Sequence, residues 1–202
     1  RYYLAAAGYG GDKAIFGYGT TGSYSSLTNL VSSSGVVATD TTGVGTARGY
    51  VAGVSYGGDK ALFAYGYTGS NVSMSNLISN LGVVSADVTG VGTARGYLAA
   101  ASYDTDKAIF GYGYNGSANL SMSNLVSNNG IVASDVSGVG TARRQLGAAG
   151  YGGDKAIFAY GKAGAFTSIK NLVNSSGVIA ADVTGVGTAR EAIAAAGYSI
   201  SA

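Results

Sequence analysis

The chain has 202 residues, 47% of them hydrophobic and only 11% charged, with 35 Gly, 16 Tyr and a formal net charge of +2. This balance excludes a solvated disordered chain, and the even scatter of its 12 basic residues excludes the basic groove that nucleic-acid binding needs. Without Cys or His, it can form neither disulfides nor thiolate metal sites, and it lacks the commonest general base.

Gly-Thr-Ala-Arg returns with its arginine at Arg48, Arg95, Arg143 and Arg190. It divides a single repeat-built domain, 1–202, into units 1–47, 48–94, 95–142 and 143–189, with a partial fifth unit over 190–202. Arg1 is not an initiator, and the chain reads as a processed product or a segment of a longer protein. No apolar run approaches membrane-spanning length and no secretory leader stands at the start, so no membrane insertion is expected.

In the first unit, the apolar run Leu4 to Tyr9 is broken by Gly10-Gly11-Asp12 before Lys13 to Tyr18. Two short apolar segments around a glycine pair predict a tight hairpin, since glycine accepts positive φ at little cost. The third unit has Asp104-Thr105-Asp106 there, which suits a turn and not a phosphate-binding loop. Next comes the variable stretch, Thr20 to Ser26, Tyr67 to Ser73, Tyr114 to Ser121 and Lys162 to Thr167, as expected of an exposed loop. A third strand is predicted over Leu27 to Val31, with an Asn recurring at Asn29, Asn76, Asn124 and Asn171. The β-branched run Val36-Val37 and its copies predict a fourth.

The expected fold is therefore all-β and propeller-like: four tandem four-stranded units plus an extra C-terminal copy of the first strand, Ile193 to Tyr198. A solenoid built from whole units is the alternative. The extra strand would expose an apolar edge, so self-association through 193–198 is expected.

The order of boundary Arg48, Val51-Ala52-Gly53-Val54, the Gly57-Gly58-Asp59-Lys60 turn, aromatic Leu62-Phe63-Ala64-Tyr65-Gly66 and Val83-Val84 resembles the kelch-type β-propeller repeat. That resemblance implies radially packed blades. The chain departs from it in having Gly17-Tyr18-Gly19 where the family has a glycine doublet, and in having no tryptophan. The units also resemble Gly- and Ala-rich repeats of tail-associated proteins of environmental bacteriophages. This implies a structural or receptor-facing component, extracellular or virion-associated.

The acidic residues come in copies. Asp12, Asp59, Asp106 and Asp154, each followed by Lys, read as hairpin residues. Asp40, Asp87, Asp135 and Asp182 lie eight residues before Arg48, Arg95, Arg143 and Arg190, and these eight residues read as structural bridges. Near-equivalent pairs do not suit one general acid and one general base, whose environments must differ. No catalytic, cofactor or metal residue is assigned, and none of the usual signatures for them is present. Tyr24, Tyr67 and Tyr114, with Asn71, Asn115 and Asn119, lie in or beside the variable loops and are the candidate ligand-binding residues, since tyrosines stack on sugar rings while amides bond hydroxyls.

Three functions are thus open: a non-enzymatic scaffold binding a protein or surface glycan through its loops, a structural subunit of a phage tail or filament assembling through its terminal strand, and a carboxylate-dependent enzyme.

Overall fold

The computed structural model describes residues 1–197. Its twelve strands form four separate antiparallel sheets of three: β1 (Ala5–Tyr9), β2 (Lys13–Gly17) and β3 (Thr28–Val31); β4 (Ala52–Tyr56), β5 (Lys60–Tyr67) and β6 (Asn71–Ile78); β7 (Ala99–Tyr103), β8 (Lys107–Tyr114) and β9 (Asn119–Val126); β10 (Gly147–Tyr151), β11 (Lys155–Ala159) and β12 (Lys170–Val173). Each unit thus contributes one small sheet in sequence order. No helix of the described residues is long and apolar enough to cross a membrane.

The hairpins form where the glycines fall. Gly10 and Gly11 take φ of 62° and 82°, and Asp104 and Thr105 take the same left-handed turn at 48° and 58°. Register then follows, with Ala5 opposite Gly17 and Tyr9 opposite Lys13. In the middle units the second strand carries a bulge at a tyrosine, Tyr65 or Tyr112, with φ of 62° and 64°. Positive φ is uncommon for so bulky a residue, and here it turns the ring into the joint between units.

Two expectations are corrected. The units are three-stranded, not four-stranded: the Val36-Val37 segment and its copies meet the third strand only at isolated bridges, such as Val31–Val37 and Thr28–Thr41. The reason is the recurring Asn. Asn76 Nδ2 donates to the Ser85 carbonyl, so a side chain fills the place where a backbone ladder would continue. The sheets also do not close into a propeller. They stand in a row, β1 packed on β4, β4 on β7 and β7 on β10, while the first and last sheets do not pack together. Phe63, Phe110 and Phe158 are fully buried between sheets, whereas the equivalent Phe16 is 36% exposed.

Three apolar cores fill the three joints. The first joins Ala5, Ala7, Ile15 and Tyr18 to Val51, Phe63 and Ile78 of the next unit. The second centres on Tyr65, Leu98 and Phe110, and the third on Tyr112, Leu146 and Phe158. Sheets covered on both faces need small residues at the crossings: a Cβ on Gly111 would stand 2.8 Å from the Phe158 ring. Residues 193–197 lie in no strand, and Tyr198, the end of the expected fifth strand copy, lies outside the described residues. Ile193 and Ala195 nonetheless rest against Gly147, as a next unit's first strand would.

Candidate functional site

The chemistry-bearing residues fall into two groups, one inside the joints and one along an edge. In the first joint, the Arg48 guanidinium lies over the Tyr18 ring of the preceding unit, 4.3 Å from its centroid. It donates to the Tyr65 carbonyl at 2.9 Å, to Asn76 Oδ1 at 2.6 Å and to the Thr46 carbonyl at 3.0 Å. Asp87 lies 3.8 Å from the guanidinium and accepts from Asn76 Nδ2 and from the N–H and hydroxyl of Thr46. The next joints repeat this with Tyr65, Thr93, Arg95, Asn124 and Asp135, then with Tyr112, Thr141, Arg143, Asn171 and Asp182.

Burial pushes the Arg48 and Arg95 guanidinium groups below their ordinary values and raises the phenols of Tyr18, Tyr65 and Tyr112, Tyr65 to about 12. Partial burial acts to raise Asp87, Asp135 and Asp182, but hydrogen bonds from the neighbouring Thr and Asn outweigh it and hold all three low. These carboxylates stay ionised and fully engaged. Asp40 bonds Asn29 Nδ2, and Arg190 lies over Tyr160 at 4.2 Å and donates to the Thr188 carbonyl. The Asp and Arg eight residues apart in sequence are therefore not the ones that meet. Asp87 meets Arg48, at the opposite end of its own unit.

The Asp12–Lys13, Asp59–Lys60 and Asp154–Lys155 pairs are exposed contacts at the hairpins; in the third unit Lys107 turns to Asp104 and leaves Asp106. Pairs of this kind contribute little to stability, about 0–1 kcal/mol each. Among the described residues no group of three or more acidic side chains gathers as a metal would require.

The variable loops form the second group. The Tyr24 ring meets Tyr67 of the next unit edge to face at 6.0 Å. Asn71 lies beside Gly96 and Gly116 of the unit after it. Tyr114 is covered by the Arg144 guanidinium at 4.7 Å and donates to the Gly116 carbonyl. Asn115 Oδ1 accepts from the Ser117 and Ala118 amides and shapes its own loop. Asn119 Nδ2 reaches the Lys162 carbonyl of the last unit, while its Oδ1 is buried without a partner. All six candidates are thus half-buried members of one continuous row spanning the four units.

Sequence reasoning did not single out Tyr2 and Phe166, each 54% exposed at the row's two ends. Phe166 was legible as the aromatic of the fourth variable loop. Also missed was the aromatic column Tyr3, Tyr50 and Tyr97, whose rings stack at 4.1 and 4.0 Å. Tyr3 and Tyr97 are only 6.4 Å apart, so the column, and with it the row of sheets, is curved. Its signal was a tyrosine two residues after each boundary Arg, replaced in later units by Gln145 and Ala192.

No protein-family model matches the sequence, and no curated protein matches it either.

Proposed function

We propose that this chain is a rigid, non-enzymatic β-repeat scaffold that recognises a surface glycan through its row of variable loops. One observation carries the reading: the segments that differ most between units come together in one contiguous row, while the joint residues recur almost unchanged. A constant frame presenting a varied edge is the arrangement expected of a recognition surface. The row offers aromatic rings at Tyr2, Tyr67 and Phe166 with amide and hydroxyl groups between them, and no dominance of one charge. Such a surface suits neutral sugar rings, and an extracellular or virion-associated setting would supply them.

The test is a glycan array followed by titration of the best ligand. Saturable binding that falls at least tenfold in both Tyr67→Ala and Phe166→Ala, with unchanged unfolding midpoints, supports the reading. Binding indifferent to both substitutions, or capture of a protein and no glycan, overturns it.

A second reading, a structural subunit of a phage tail or surface filament, is favoured by the apolar outer side of the first sheet, where Phe16 is 36% exposed although its copies Phe63, Phe110 and Phe158 are fully buried between sheets.

A further inference from the structure

Two asparagines of the chain are followed by glycine, Asn115-Gly116 and Asn129-Gly130. A following residue without a Cβ leaves the asparagine side chain room to meet the next backbone nitrogen. The fold treats the two pairs oppositely. Gly130 is buried against the Tyr56 ring of the preceding unit, and its N–H donates to the Ser127 carbonyl at 2.9 Å, so its nitrogen is engaged in a closed turn. Gly116 is exposed, takes φ of 99°, and its N–H donates to no group among the described residues.

The Asn115 carboxamide is held in one orientation. Its Oδ1 accepts the Ser117 N–H at 2.9 Å and the Ala118 N–H at 2.8 Å, while its Nδ2 has no acceptor among the described residues. The loop is closed by the Asn115 N–H on the Ala118 carbonyl at 3.2 Å and by the Tyr114 hydroxyl on the Gly116 carbonyl at 2.7 Å. Attack of a nucleophile on Cγ would turn Oδ1 into an oxyanion, and two backbone donors already point at that oxygen. Donors set in advance on developing charge lower the barrier to such a step. Asn174 has a similar pair, from the Ser176 and Val178 N–H groups at 3.0 Å each, but is followed by Ser175, whose side chain crowds the nitrogen. Among the described asparagines, Asn115 alone combines a following glycine, a free glycine nitrogen and two donors on its carboxamide oxygen.

We propose that Asn115-Gly116 is a self-modification site, at which the folded chain converts its own carboxamide to a carboxylate. The Gly116 nitrogen gives up its proton to solvent base and attacks Asn115 Cγ. The charge that forms on Oδ1 is held by the Ser117 and Ala118 N–H groups. Nδ2 then takes a proton from water and leaves as ammonia, so one C–N bond forms and one breaks, and a five-membered succinimide closes. Water adds to either of its carbonyls. Opening at Cγ gives aspartate, and opening at the main-chain carbonyl gives isoaspartate, which carries one extra main-chain atom before Gly116. One water is consumed and one ammonia released, with no oxidant or reductant. The variable-loop row thereby gains a negative charge beside Tyr114, and the isoaspartate form draws the Gly116 carbonyl off the Tyr114 hydroxyl. This chemistry does not depend on what the row binds.

The experiment keeps the chain in mildly alkaline buffer, folded or unfolded in urea, and follows conversion at Asn115, Asn129 and Asn174 over time by peptide mass spectrometry after chymotryptic cleavage. Folding should speed Asn115 about tenfold over its rate in urea, less than a buried oxyanion donor gives an enzyme because this loop is solvated. Folding should slow Asn129, whose rate in urea should match that of unfolded Asn115, and Asn174 should stay slow in both states. Ser117→Pro removes one of the two donors. With its unfolding midpoint unchanged, its ratio of folded to unfolded rate at Asn115 should fall towards one. Asn115 converting no faster folded than unfolded overturns the proposal, as does a Ser117→Pro ratio equal to that of the parent chain.

Discussion

Asp87 accepts the backbone N–H of Thr46 at 3.0 Å and its hydroxyl at 2.6 Å, across 41 residues of sequence and one joint between sheets. The same carboxylate holds Asn76, which orients the Arg48 guanidinium against the earlier unit's Tyr18. One acidic residue thus fixes the end of one unit, the centre of the next and the cation between them. A small domain with thin apolar layers gains its rigidity from such fully satisfied polar joints.

Removing the buried cation should therefore be far more damaging inside the row than at its end. Arg95→Met leaves the Tyr112 carbonyl, Asn124 and Asp135 without their partner and should destabilise the chain by about 3–5 kcal/mol. Arg190→Met, at an exposed and half-made joint, should cost less than about 1 kcal/mol. Urea unfolding midpoints compare the two directly.

The pH dependence follows from the same joints. Because Asp87, Asp135 and Asp182 are held low when folded, the unfolded chain binds more protons in acid. Their contribution is fully present above the unfolded carboxylate value of about 3.9 and is lost as pH falls through the depressed folded values. At the alkaline end the raised Tyr18, Tyr65 and Tyr112 stay protonated longer than in the unfolded chain, so stability is present below about pH 10 and lost as pH rises through the folded values. With no histidine, thermal midpoints should form a plateau between about pH 5 and 9. A step near pH 6 to 7 would contradict this.

The third hairpin offers a clean test of backbone strain. Thr105 holds φ of 58° where the other units have glycine, and the equivalent Gly58 has open space around its missing Cβ. Thr105→Gly should stabilise the chain by about 0.5–1 kcal/mol, the left-handed penalty less the added freedom of glycine in the unfolded state. Gly58→Thr should show the reverse change in unfolding midpoint.

The repeat and its hairpins were legible because Gly10-Gly11-Asp12 and its copies mark the turn in the residues themselves. The fourth strand was misread because Val36-Val37 has strand propensity, while the decision lies with Asn29, whose side chain replaces the ladder. Closure was misread for a different reason: it depends on the angle between stacked sheets, and the Tyr3–Tyr50–Tyr97 geometry that reveals the curvature is not written in any one unit. Along the loop edge, the variable residues were visible as such. Their use of half their surface on one another, as in the Tyr24–Tyr67 contact, was not.

Residue-by-residue amide exchange of the four second strands distinguishes an open row of sheets from a closed ring. In an open row each sheet is stabilised by its neighbours, so β5 and β8 should exchange slowest, while β2 and β11 open with lower free energy. Equal protection of all four strands would mean that every sheet has two neighbours, and would contradict the open row.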